Sequence, residues 1–296
     1  MRVTSNMIAQ GLLANLNAHL RRMEDLHHQL SSGKRLRRAS DDPAATSISM
    51  RLHTSLVHTR QHRANLDAAV SWLEATDSAL AEAGEVLQRA KELAVYGAND
   101  TMPLDAREAL AQEVDQLLHH MIAIANTTHA GLYIFAGHKT QTPPYAAGSG
   151  TITAAPAYAG DTGLREYEIG DGVTVAVNLP GDAVFDPILQ SLIDLRDNLR
   201  SGDGDAVGGQ VLGDLEAALD GLLRARADVG ARANRLELAR ARLDEMELNF
   251  EQLLSNTEDA DIARVIIDLK TSENAYRAAL AAGARIIQPS LIDFLR

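Results

Sequence analysis

Apolar residues recur at alternating spacings of three and four along most of this chain, the mark of helices that bury one face. Near the C-terminus Leu236, Ala239, Leu243, Met246, Phe250 and Leu253 form one such stripe. Beyond Ser255-Asn256-Thr257 the pattern restarts out of register, with Ile262, Ile266, Leu269, Tyr276, Leu280, Gly283 and Ile287. A stripe on one helix stays wet until another helix covers it, and covering a Leu or Ile is worth ~1.5–3 kcal/mol. The cover lies at the other end of the chain. Residues 6–31 are predicted to form one helix, with Leu13, Leu16, Leu20, Met23, His27 and Leu30 at heptad-like spacing and Arg21, Arg22, Glu24 and Asp25 outside it. Two terminal stripes of matching spacing predict that the two ends pair.

The segments between them follow the same rules. Gly33 is placed as a helix C-cap, and Lys34-Arg35-Leu36-Arg37-Arg38 as a basic loop where helix-end carbonyls favour cations. Asp42-Pro43 reads as an N-cap followed by the first residue of a helix that runs to about Tyr96. Its stripe is Leu66, Ala69, Leu73, Thr76, Leu80, Ala83, Leu87, Ala90 and Ala94, with Thr76 its one polar member. Such a helix spans roughly 80 Å, which predicts an elongated rod. Residues 97–101 end it, and a third helix from about Asp105 turns Leu110, Val114, Leu117, Met121 and Ile124 back onto it as an antiparallel neighbour. From Gly131 to Pro180, glycines, Pro143-Pro144 and the short β-rich runs 132–135, 166–169 and 173–177 predict hairpin strands. Ile188, Leu192, Leu195 and Leu199 restore the helical period, and after the break at 201–204 the chain stays helical from about Val207.

Composition narrows the function. A net charge of −12 offers no basic excess for binding phosphates, which argues against nucleic acid. Aromatic residues are only 4%, as suits helices packed side by side. There is no cysteine, hence no disulfide, zinc-thiolate site or cysteine nucleophile. No run reaches the ~18 apolar residues of a membrane-spanning helix, so membrane insertion is not expected. Asn6, Gln10 and Asn15 interrupt any signal-peptide core, so export would need another route.

Three ordered motifs then carry a resemblance. LSSGKRLRRASDDPAATSIS at 30–49, VLQRAKELAVYGANDT at 86–101 and TEDADIARV at 257–265 resemble the signatures of the bacterial flagellin family. The likeness spans residues 1–138 and 187–296. YIFAGHKTQTPPY at 133–145 and the ending from Gln288 to Arg296 resemble the hook–filament junction branch of that family more than filament flagellins. The opening Val3-Thr4-Ser5-Asn6 also departs from the Ile-Asn-Thr-Asn usual in flagellins. The resemblance implies a mainly α fold with a small β-rich insertion. Residues 1–41 with 256–296 would form a terminal coiled-coil inner domain, 42–138 with 183–255 a helical core, and 139–182 an outer β-rich domain. It further implies a structural role on which the filament assembles, in a secreted organelle reached without a cleaved signal peptide. Implied partners are further copies of the chain in a ring, the hook-side hook-associated junction protein, flagellin, an export chaperone and the type III export apparatus. Assembly would use Leu13, Leu16, Leu20, Met23 and Leu30 against Ile262, Ile266, Leu269, Tyr276, Leu280 and Ile287, with Gly33, Arg35, Asp41, Asp42 and Pro43 forming the motif turn.

Candidate chemistry is sparse. Of the ten histidines, His58 and His62 stand four apart on a helix and could share a metal ion, but no third ligand follows from spacing and both read as surface residues. Asp42 is explained by capping. Glu258, Asp259 and Asp261 lack a calcium-loop pattern, as does Asp203-Gly204-Asp205. Glycines at 170–172 do not join a strand to a helix as a phosphate loop would. The sequence predicts no enzyme, no cofactor and no metal. A signalling helical bundle would need a phosphoacceptor histidine box and a nucleotide domain, and neither pattern occurs.

Overall fold

A computed structural model describes residues 5–99, 101–146 and 152–287. Helices dominate it in the order α1 (Ser5–Ser32), α2 (Pro43–Gly97), α3 (Leu104–Ala125), α4 (Asp182–Ser201), a short α5 (Gly204–Ala206), α6 (Leu212–Glu258) and α7 (Ile262–Ile287). A five-residue π-helical turn, Val207–Val211, leads into α6. Two antiparallel hairpins, β1 (Thr128–His129) with β2 (Leu132–Tyr133) and β3 (Glu166–Gly170) with β4 (Val173–Ala176), lie between α3 and α4. The chain divides into two compact units, residues 1–58 with 247–296 and residues 59–246.

In the unit 59–246, the long stripe of α2 behaves as its period requires. Leu66, Ala69, Leu73, Thr76, Leu80, Ala83, Leu87, Ala90 and Ala94 are all buried. Thr76 is tolerated because its hydroxyl donates to the Trp72 carbonyl one turn back, so this hydroxyl is paired within the core. Ion pairs on the rims give the register. Glu82 with His120 and Arg89 with Glu113 set α3 antiparallel to α2, while Asp77 with Arg226 and Lys91 with Glu216 set α6 antiparallel to it. Glu108 with Arg200 and Asp115 with Arg196 do the same for α3 and α4. Exposed pairs of this kind add little stability each, so the apolar stripes hold the bundle and the charges select its alignment. Arg196 is the buried exception, held by Asp115, Asp197 and the Ile152 carbonyl.

Described residues of the segment expected as an outer domain share the core of the helices. Tyr145, Ile169, Val175 and Val177 join the same buried cluster as α2, α3, α4 and α6. Its hairpin, β3 with β4, is too small to bury a face independently, so the helices supply the other side. Only Leu132–Tyr133 of the expected run 132–135 is strand; Ile134 and Phe135 turn inward and are fully buried. Asn126 ties this region down by exchanging two hydrogen bonds with the Tyr145 backbone, and the Tyr145 hydroxyl donates to Asp186 at 2.7 Å.

Candidate assembly interface

In the unit formed by residues 1–58 and 247–296, α1 packs along α7. Leu26, Val265 and Leu269 are its buried centre, with Met23, Leu30 and Ala260 against them. Farther along, a Cβ on Gly283 would run into the Leu12 side chain, so the helices approach closely there. The packed rows are therefore 12, 16, 19, 23, 26 and 30 on α1 and 265, 269, 272, 276, 279 and 283 on α7, spacings of three and four throughout.

These rows differ from the expected ones by about one position. Leu16, Met23, Leu30, Leu269 and Tyr276 lie in or beside the seam, fully or partly buried. Leu13 and Leu20 are 58% and 44% exposed, and Ile262, Ile266 and Leu280 are 40%, 43% and 45% exposed. Ile287 ends α7, and its side chain lies outside the described residues. Each helix thus carries more apolar surface than its partner covers, in a strip along one flank of the seam. The missed positions, Leu12, Leu26 and Val265, were harder to read because His19 and Ser272 share their rows while the flank is purely aliphatic.

The same unit contains a joint that spacing could not reveal. The loop between α1 and α2 and the short link between α6 and α7 are clasped together. Gly33 leaves α1 at φ 68°, a left-handed position that glycine takes without strain. Its carbonyl then accepts from Ala260 N at 2.9 Å, beside a backbone bridge between Lys34 and Asp259. Lys34 Nζ reaches Asp259 at 2.6 Å and Glu258 at 3.3 Å. Glu258 also accepts from the Ser49 hydroxyl and meets His53 Nε2 at 2.9 Å. Arg35 donates to the Thr257 carbonyl at 2.9 Å, so the cation does sit at a helix end, but that of α6. The turn residues act as their types require. Asp42 caps α2 through the Ala45 N–H at 3.0 Å, Pro43 opens the helix, and Asp41 accepts from the Arg37 and Arg38 amides.

Charge in the clasp is mutually stabilising. The Lys34 hydrogen bond, then Ser255, holds Asp259 below its ordinary value, and Asp259 in turn raises Lys34. Burial alone would push Glu258 up, but hydrogen bonds from Ser49, Lys34 and His53 together outweigh it and leave Glu258 lowered. Lys34 and Ser49 come from the first sequence motif and Glu258 and Asp259 from the third, more than two hundred residues away. Their chemistry is that of a latch. Elsewhere, His62 does not read as a surface residue: its ring is largely buried, with Nε2 3.3 Å from Asp171. Among the described residues no group of three His, Asp or Glu could hold a metal ion.

The two chain ends are thus paired and latched through two of the three motifs. Residues 3–140 match the bacterial flagellin N-terminal helical region. The chain is similar to proteins of the flagellin family over most of its length. It is 27% identical to flagellar hook-associated protein 3 of Escherichia coli (strain K12) over 257 residues, 86% of this chain and 76% of that protein. It is 26% identical to flagellin FlaB1 of Treponema pallidum (strain Nichols) over 295 residues, 99% of this chain and 98% of that one. A crystal structure of flagellar hook associated protein-3 from Legionella pneumophila shares its fold, with a TM-score of 0.63 at 18% identity, covering 70% of this chain and 98% of that one. The relatives it matches are flagellins and flagellar hook-associated proteins.

Proposed function

We propose that this protein is the adaptor between flagellar hook and filament, the subunit layer on which the filament assembles. One observation carries the assembly reading: the α1–α7 pair leaves Leu13, Leu20, Ile262, Ile266 and Leu280 exposed along one flank of its seam. Neighbouring subunits around a shared axis would cover that flank, and nothing within this unit does so among the described residues. Hook-associated relatives support the junction position. In this reading residues 1–41 and 256–296 form the inner layer, 42–138 and 183–255 the core, and 139–182 the outward part. Its neighbours would be a hook-side junction protein and flagellin, and it would reach them unfolded through the type III export apparatus, escorted by a chaperone.

Deleting the gene tests the position. Hooks should form while flagellin escapes into the medium; normal filaments after deletion would reject the junction role. A filament role is the second reading, favoured by the near-full-length match to a Treponema flagellin. Purified protein that polymerises into long filaments would support it, whereas a junction subunit should stay short or monomeric.

A further inference from the structure

The hairpin of β3 and β4 is a sheet of two strands, so both strands are edges. Unpaired groups on an edge are a template on which a strand of another chain can add. The composition of the second strand adds to the risk. Residues 173–179, VTVAVNL, hold no charge, glycine or proline, and four of the seven are β-branched. Segments of this kind stack readily between copies. The register shows which backbone groups point outward. The Val177 N–H donates to the Arg165 carbonyl at 2.9 Å, so these residues form a hydrogen-bonded pair. Pairs alternate along an antiparallel ladder, and Glu166–Ala176 and Glu168–Thr174 are therefore pairs whose N–H and C=O aim away from it. Helices reach these positions from both sides. Asn65 Nδ2 on α2 donates to the Glu168 carbonyl at 2.9 Å. Arg232 Nη1 on α6 donates to the carbonyls of Ala176 and Asn178 at 3.1 and 3.3 Å, and its Nη2 lies 2.6 Å from Asp228.

We propose that Arg232 and Asn65 are edge guards, which keep the 173–179 segment of one copy from adding to the hairpin of another. A strand that adds to an edge bonds to alternate residues, i and i+2. Of the outward residues, the guards leave Glu166 on β3 and Thr174 on β4. A single residue offers no ladder. Without Arg232, the carbonyls of Thr174, Ala176 and Asn178 would form an open edge three alternate residues long. The guanidinium also sets a charge where the incoming strand would lie, a common means of blunting an edge. Val175 and Val177 are buried against the helices, so it is the edge of the folded chain, not an unfolded segment, that needs the guard.

The test uses the full chain. Arg232→Ala should gain an intermolecular β band in infrared spectra and thioflavin T fluorescence that the native protein lacks, while its helical circular dichroism stays native. Asp228→Ala removes the other partner of Arg232 and leaves the carbonyls held, so it should behave as native. Thr174→Pro in the Arg232→Ala chain removes an outward N–H without touching the ladder and should suppress the signal. A folded Arg232→Ala chain without the β signal would overturn the proposal. So would a signal that Thr174→Pro leaves unchanged, or one that Asp228→Ala produces equally, since general loosening would then explain it. If Arg232→Ala fails to fold, Asn65→Ala opens the β3 edge and is judged by the same signal, with Glu166→Pro as its suppressor. Failure of both variants to fold would count against the proposal, because the two side chains would then be part of the core.

Discussion

Glu258 is the residue on which the latch turns. It receives Ser49, His53 and Lys34 while largely buried, so its removal leaves Ser49 and His53 without this acceptor and Lys34 with Asp259 alone. Glu258→Ala is expected to cost about 1–3 kcal/mol, the range for losing charged hydrogen bonds, read as faster amide exchange in α7 than in α3. The pH dependence follows from the directions of the shifts. Glu258 and Asp259 are lowered from 4.5 and 3.8, so their contribution is complete above those values and is lost as pH falls through the lower folded ones. Lys34 is raised from 10.5, so its share is complete below that and is lost at higher pH. Terminal-unit stability followed by circular dichroism should therefore be flat through neutral pH, fall below about pH 4 and fall again in strong alkali. Lys34→Met should abolish the alkaline loss, and persistence of that loss would assign it elsewhere. Lys34 and Asp259 are both near 40% exposed, which keeps the energies small.

Helix boundaries were legible in advance because they depend on local chemistry. Gly33 and Asp42-Pro43 mark the end of α1 and the start of α2, where the structure has them. The buried stripe of α2 was equally plain, since every third or fourth residue but Thr76 is apolar over about eight turns. Leu80→Ala should cost about 2–5 kcal/mol, as for a well-packed core leucine, and a thermal melt would register it as cooperative loss of the core helices. The packed row of α1 was not legible. Leu12 and Leu13 are adjacent, as are His19 and Leu20, and the choice between rows depends on where α7 lies. Gly283→Leu should push the α1–α7 pair apart at Leu12, and limited proteolysis should then trim both chain ends sooner than in the native protein.

At the scale of the whole molecule, stability and assembly should separate. Leu20→Asp with Ile266→Asp changes exposed positions outside the packed seam, so the melting of the isolated chain should move by no more than about 0.5 kcal/mol equivalents. Motility should nevertheless be lost, because the flank proposed to meet neighbouring subunits becomes charged. A large loss of monomer stability would instead place these residues within the fold. Limited proteolysis of the native monomer should cut near both ends and spare the core, whose stripes are satisfied within one chain.

The sequence by itself determined where helices begin and end, which faces are apolar, and that the two ends carry surfaces in need of cover. Caps, periods and breaks act over a few residues, so no knowledge of distant partners is required. Tertiary structure alone decided that Lys34 meets Asp259 and Glu258, that Tyr145 and Val177 join the helical core, and which of two adjacent apolar rows on α1 is buried. Those outcomes depend on contacts between residues far apart in the chain, and a period read along one helix cannot say where its neighbour will lie.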